Sequence, residues 1–303
     1  MADLFFFLEV LIGGLLSGVL YSLVALGFVL IYKASGVFNF AQGAMVLLAG
    51  LTFVRLTQIL GSEHPWDGMF VLALAITFAV MIALAFAVER VVLRPLVNQA
   101  QIIMFMATIG LTFFLEGAAQ GVWGSQVHRL NLGVSELPII IGDVLLPPLD
   151  LVAAAAAAAM VAGLAVFFSR TRIGRALRAV ADDHQAALSV GIPLQSIWVV
   201  VWSVAGIVAL FAGLVWGAKL GVQFSLTLVA LKALPVLILG GFTSIPGAII
   251  GGLIIGASEK LAEVFIGPLV GGAIENWFPY MLALVFLLFR PQGLFGEKII
   301  KRV

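Results

Sequence analysis

The 303-residue chain has no cysteine, three histidines, and only 10% charged residues. Without cysteine there is no disulfide framework and no thiolate metal site. His64, His128 and His184 are scattered and make no metal-ligand spacing. Sixteen Lys and Arg against fifteen Asp and Glu leave a net charge of +1, so there is no basic field to hold nucleic acid. The scarcity of charge also excludes an ordinary water-facing surface. A soluble domain is about half apolar and about a quarter charged, whereas this chain is 63% hydrophobic with a mean hydropathy of +1.20. Its solvent is a bilayer. The N-terminus, MADLFFFLEV, lacks a positive n-region and an A-x-A site, and is expected to open a retained first span.

What is there is a series of long apolar runs. Crossing the hydrocarbon takes about 20 apolar residues as a helix. Backbone groups cannot stay unpaired in lipid, and the runs lack the alternation of a membrane barrel, so they must be helical. The runs fall at 10–32, 37–58, 69–89, 102–123, 150–168, 194–217, 226–241, 245–265 and 276–290. They predict an all-α polytopic integral membrane protein with eight or nine transmembrane helices. The 226–241 run is short and holds Lys232 and Pro235, which predicts a broken or re-entrant segment.

Lys and Arg between spans set the orientation. With the loop around Arg172 inside and all nine runs crossing, the inner side collects eleven of the sixteen basic residues, from Lys33 to Arg302. The outer side receives Arg129, Lys219 and Lys260, and Arg55 and Lys232 stay within spans. The N-terminus is then outside and the C-terminus inside; a re-entrant 226–241 would require the last helices to be reassigned. The outer loop, 125–150, holds LPIIIGDVLLPPLD, two short β-prone runs around Gly142-Asp143 that predict a hairpin. Seven alanines follow at Ala153–Ala159, and Gly14/Gly18 and Gly247/Gly251 are spaced four apart. Small residues at that spacing let helices approach closely in lipid.

The stretch TRIGRALRAVADDHQAALSVGI, 171–192, stands apart from these runs. Thr171 is placed to cap a helix, Gly191 to take the left-handed position after it, and Pro193 to stop it. Ile173, Leu177, Val180, His184 and Leu188 fall on one stripe at three- and four-residue steps. Arg172, Arg175 and Arg178 lie on another side, with Arg178 in reach of Asp182. Cations in the first turns oppose the helix dipole by ~0.3–1 kcal/mol each, so something other than helix stability placed them. Topology explains the charge but not a capped amphipathic helix. Such a helix lies on the membrane or docks into a soluble partner.

Polar groups at membrane depth are costly and face the bundle interior. Asn39, Gln42 and Gly43 open the second run. Thr108, Thr112, Glu116 and Gln120 step by four along one face, and Lys232 lies in the short seventh segment. Ser244, Pro246 and Gly247 begin the next helix, whose free N–H groups suit an anionic group. Glu116 and Lys232, two lone charges of opposite sign, are expected to pair. Two readings stand beside each other: a translocation path through Asn39, Gln42, Gly43, Glu116, Lys232, Ser244, Pro246 and Gly247, or interhelical hydrogen bonds worth about 0.6–2 kcal/mol each.

The pattern T-R-x-G-R-A-x-R-A-x-A-x-D, from Thr171 to Asp183, resembles a cytoplasmic loop of ABC importer permeases, above all those for branched-chain amino acids. LYSLVALGFVLIYKASGVFNFAQGAMVLLAG (20–50), VERVVLRPL (88–96), ALKALPVLILGGFTSIPGAIIGGLIIGASE (230–259) and RPQGLFG (290–296) agree in order. The resemblance implies a single permease domain over 1–303 in the bacterial inner membrane, with 125–150 in the periplasm. It implies a homologous second permease, two cytoplasmic ATPase subunits and a periplasmic solute-binding protein as partners. It implies that 171–192 is the coupling helix, with Arg172, Gly174, Arg175, Arg178, Ala179, Asp182, Asp183 and Gly191 as the ATPase-coupling residues. ATP and Mg2+ would bind the partner subunits and no cofactor this chain; no GxxxxGK[ST] phosphate loop is present.

One motif departs from the pattern. Relatives often read N-F-A-H-G-E where this chain has Asn39-Phe40-Ala41-Gln42-Gly43-Ala44. Since similar permeases also serve urea, short amides and small or aromatic carboxylates, the solute is not inherited with the family. A stand-alone transporter would explain interrupted helices but leaves the capped cytoplasmic helix without work. A membrane enzyme would need a catalytic cluster, and Glu116 stands alone.

Overall fold

A computed structural model describes residues 2–62, 64–96, 99–135, 137–142, 144–182 and 184–296. Most of it is helix, as a lipid solvent demands. The helices are α1 (Ala2–Ser35), α2 (Gln42–Ile59), α3 (Gly68–Ala87), α4 (Gln101–Trp123), α5 (Pro148–Arg170), α6 (Arg172–Asp182), α7 (His184–Ser189) and α8 (Leu194–Leu220). They continue as α9 (Leu226–Lys232), α10 (Leu234–Gly240), α11 (Ile245–Phe265), α12 (Gly267–Val270) and α13 (Phe278–Phe289). Asp67 caps α3 by accepting from the Phe70 N–H at 2.6 Å. Its far end unwinds through a π-helical turn, Val88–Leu93, into a 3-10 turn containing Pro95.

Among the described residues, six helices are long and apolar enough to cross a membrane. The run 226–241 is broken at Ala233, ahead of Pro235, and Leu226–Gly240 bends by 114° against Ile245–Phe265; taken as one span, this pair brings the number to seven. Phe278–Phe289, at 12 residues, is shorter than a full crossing. The polytopic membrane protein is there, and so is the interruption at 226–241. The expected eight or nine separate spans are fewer by length, because the last third of the chain is folded from short and bent pieces.

The chain divides into two compact units. One comprises Met1–Val29, Val134–Met160 and Leu231–Val303. In it, Gly14 and Gly18 of α1 face Gly252 and Gly256 of α11 so closely that a Cβ on Gly18 would sit 2.5 Å from the Gly252 carbonyl oxygen. Gly251 lies under Val236 and Gly240 of α10. The hairpin forms as expected: β1 (Ile139–Ile141) pairs antiparallel with β2 (Val144–Leu146), and Gly142 takes φ +66°. Glu9 accepts from the Leu145 N–H at 3.1 Å, tying the hairpin to the start of α1.

The other unit comprises Leu30–Gly133 and Val161–Ala230. Its core is α2 against α8, where Gly213 brings the backbones together: a Cβ there would lie 2.6 Å from the Val46 carbonyl oxygen. Trp198 and Trp202 are buried on the same helix, the first donating to the Ala34 carbonyl at 3.2 Å.

Candidate functional site

Two places bring chemistry-bearing residues together, and the first is the corner between α5 and α6. Thr171 Oγ1 accepts from the Gly174 N–H at 3.1 Å, which is the expected cap of α6. Gly174 rests on the Phe168 carbonyl with no room for a Cβ. Arg178 Nη1 donates to the Phe168 carbonyl at 2.6 Å, with longer contacts from Arg178 to Ser169 and from Arg175 to Arg170. The last carbonyls of a helix have no intrahelical donors and carry negative partial charge. Arginines that look misplaced on α6 therefore sit correctly for the C-terminus of α5. They build the corner.

Beyond α6, the segment stops as its sequence dictates. Gly191 has φ +82°; its N–H donates to Leu188 O and that of Ile192 to Ala187 O, both at 3.0 Å, the paired bonds of a Schellman end. Leu177 and Val180 of the apolar stripe are buried and Ala179 is half-buried. Ile173 is only partly covered, and Leu188 and Val190 are 54% and 75% exposed. Arg172 is exposed as well. Asp183 and the side chains of Asp182 and His184 lie outside the described residues.

The entry to α2 is locked. Asn39 and Gln42 are both fully buried. Asn39 Oδ1 accepts from the Ala41 N–H at 3.1 Å, and Gln42 Nε2 donates to the Ala205 carbonyl of α8 at 3.3 Å. Gly43 lies under α9, where a Cβ would be 2.5 Å from the Thr227 carbonyl oxygen. Thr108 holds the approach to this turn, accepting from the Phe40 N–H at 3.1 Å and donating to the Phe38 carbonyl at 3.2 Å. Further along the α4 stripe, Thr112 donates to Thr108 O, Glu116 is half-buried and Gln120 exposed. At the start of α11, Ser244 Oγ accepts from the Gly247 N–H at 3.0 Å, Pro246 has no N–H, and Gly247 is pressed against Gly240. That helix start uses its own donors.

The second place is a buried ion pair. Lys232 finds its counter-charge on Glu259 of α11, Nζ to Oε1 at 2.9 Å, rather than on Glu116. Tyr21 of α1 donates to the same oxygen at 3.2 Å. Oε2 of Glu259 is buried with no hydrogen-bond partner among the described residues. Glu259 escaped sequence reasoning, which counted Lys260 beside it toward the outer side and did not single out the acid within the 245–265 run. The available signal was the four-residue step to Glu263, which puts Glu259 a turn deeper. Lys260 itself pairs with Glu275 at 3.1 Å. Burial pushes the Glu275 carboxyl up, but the hydrogen bond and charge of Lys260 outweigh it and hold the group below its usual value. In the other unit, burial and then the Arg55 charge hold His128 below its ordinary value.

The family model described as "Branched-chain amino acid transport system / permease component" matches residues 10–290. The high-affinity branched-chain amino acid transport system permease protein BraD of Pseudomonas aeruginosa is 30% identical over all of both chains. LivH of Escherichia coli, with the same description, is 26% identical over 98% of each. More distantly, the autoinducer 2 import system permease protein LsrC of Shigella flexneri is 26% identical over 84% of this chain and 71% of its own length.

Proposed function

This chain belongs to the branched-chain amino acid transport permease family, and on that premise we propose that it is the membrane-spanning subunit of an ATP-driven importer. Its cargo is a small amino acid of branched-chain type, or a related small amide or carboxylate, moved across the bacterial inner membrane. The whole chain acts as one permease domain with eight or nine passes, the bent pair and the short α13 included. It works beside a homologous second permease, two cytoplasmic ATPase subunits that bind ATP and Mg2+, and a periplasmic solute-binding protein. It binds no cofactor of its own.

The observation that carries this reading is the corner after α5. A short helix, capped by Thr171 and braced by Arg178, is followed by a segment that leaves Leu188 and Val190 uncovered. Exposed aliphatic side chains beside arginines suit a groove on a soluble subunit. Arg175, Arg178 and Gly174 serve the coupling by fixing the corner, Arg172, Ala179 and Gly191 belong to the surface and stop of the docking segment, and Asp182 and Asp183 complete the coupling residues. Asn39, Gln42, Gly43, Ser244, Pro246 and Gly247 act as fixed supports of the path and Glu116 and Lys232 as its charges.

The test is co-purification. Leu188→Asp with Val190→Asp should leave membrane insertion unchanged and strip the ATPase subunits from the complex. Retention of a full complex by that double variant overturns the docking assignment. ATP-independent uptake by the wild-type chain alone would favour a stand-alone transporter instead.

A further inference from the structure

The two ends of the Lys232–Glu259 pair are treated unequally. The Glu259 side chain is 1% exposed and that of Lys232 is 26% exposed. Water that reaches an exposed charge solvates it and weakens its attraction to the partner, so presenting one end loosens the tie between helices. Here the acid is hidden and the base presented. Glu259 is in turn fixed from behind by the Tyr21 hydroxyl. The other negative group nearby, Glu275, is taken up by Lys260. Among the described residues the ammonium therefore has one carboxylate partner, with its remaining N–H groups open.

Lys232 closes α9, six residues beyond the entry of that helix at Leu226, about 9 Å of rise at 1.5 Å per residue. It stands at the interruption between α9 and α10, next to Ala233. A partly exposed cation at such depth cannot face lipid and must face water or protein. Broken helices at membrane depth are where transporters hold charged solute groups. We propose that Lys232, held in place by Glu259, contacts the carboxylate of the transported solute. The cargo is then a small carboxylate, amino acids included, and urea and neutral amides are excluded. This deepens the importer reading above and rests on it; Glu259 is the positioning residue.

Two measurements test it. The chain has no natural cysteine, so Lys232→Cys carries one thiol. In membranes holding the assembled complex, water-soluble 2-sulfonatoethyl methanethiosulfonate should label it; no labelling, from a side chain sealed against protein or lipid, overturns the proposal whatever the solute. Uptake is then measured with tritiated leucine, benzoate, leucinamide and urea. A carboxylate should be carried, and its uptake should fall about tenfold to a hundredfold in Lys232→Met, the loss of one charged hydrogen bond, and much less in Lys232→Arg. If Lys232 is only a latch, Lys232→Met with Glu259→Met removes both charges together and restores uptake; that recovery, or preferred uptake of leucinamide or urea, overturns the proposal. Absence of co-purifying ATPase subunits from the wild type would instead count against the importer reading and leaves the labelling result standing.

Discussion

His128 shows how a single residue of the outer loop responds to its surroundings. Its Nδ1 lies 3.5 Å from Gln58 Nε2, and its Nε2 is buried without a partner among the described residues. Burial and the Arg55 charge both disfavour the imidazolium. A histidine lowered in the fold binds fewer protons than in the unfolded chain. Its contribution is therefore complete above the ordinary value of 6.5 and is lost as pH falls from there through the lower folded value. The thermal midpoint of the purified protein should drop between pH 7.5 and pH 5, and His128→Asn should flatten that part of the profile; an unchanged slope in the variant refutes the assignment. At this scale the sequence was legible wherever a residue acts on its own backbone. Thr171 and Gly191 end their helices as their chemistry requires. It was illegible where the partner comes from elsewhere. Arg178 serves the preceding helix, and Lys232 meets an acid 27 residues away instead of Glu116.

Several elements in this chain meet backbone to backbone at their glycines. Between lipid-solvated helices there is no hydrophobic gain from apolar contact, so close backbone approach supplies the attraction. On α11, a Cβ on Gly252 would strike Ser22 Oγ and come within 2.6 Å of the Gly18 carbonyl oxygen of α1. Ser22 Oγ also donates to the Ile249 carbonyl at 3.2 Å across the same contact. Gly163 of α5, by contrast, has nothing within 4 Å of its Cβ position. Gly252→Ala should lower the thermal midpoint and the monodisperse yield in detergent. Gly163→Ala should be neutral, or stabilising by about 0.5–1 kcal/mol from helix propensity. Equal behaviour of the two variants would remove the α1–α11 contact from the account. The four-residue glycine spacing announced this kind of packing, and Gly142 announced the hairpin. The π-helical turn at Val88–Leu93 was not announced, since VERVVL has ordinary helix formers and the extra residue per turn arises from what surrounds it. Pro235 marked the break of 226–241, but the 114° bend depends on Gly240 and Gly247 meeting face to face, which spacing along the chain does not show.

Across the whole molecule, the question left by the bent pair is which side of the membrane each end of α11 reaches. If α9–α11 crosses once, residues 266–277 lie on the side opposite the N-terminus; if α11 returns, they lie on the same side. Contacts within one unit favour the return. Phe6 and Phe7 near the start of α1 sit 6.1 Å from Phe265 at the end of α11. Glu9 holds the hairpin at Leu145, and Glu263 accepts from the N–H groups of Ala273 and Glu275 at 3.0 and 2.8 Å. The start of α1, the hairpin and residues 265–275 thus share one end. At the other end, Leu294 and Phe295 donate to the carbonyls of Leu239 and Gly240 at 2.8 and 3.1 Å, so the segment after α13 comes back to the turn between α10 and α11. Charge agrees, because Arg290 joins that second end and a surplus of Lys and Arg marks the inner face. A helix of 12 residues rises about 18 Å against the ~30 Å of hydrocarbon, so α13 by itself is shorter than a full crossing. In the cysteine-free background, Ile140→Cys and Leu269→Cys should label from outside intact cells with an impermeant maleimide, whereas Val190→Cys and Gln292→Cys should label only after permeabilisation. Leu269→Cys protected together with Val190→Cys would make the bent pair a single crossing and reverse the C-terminus.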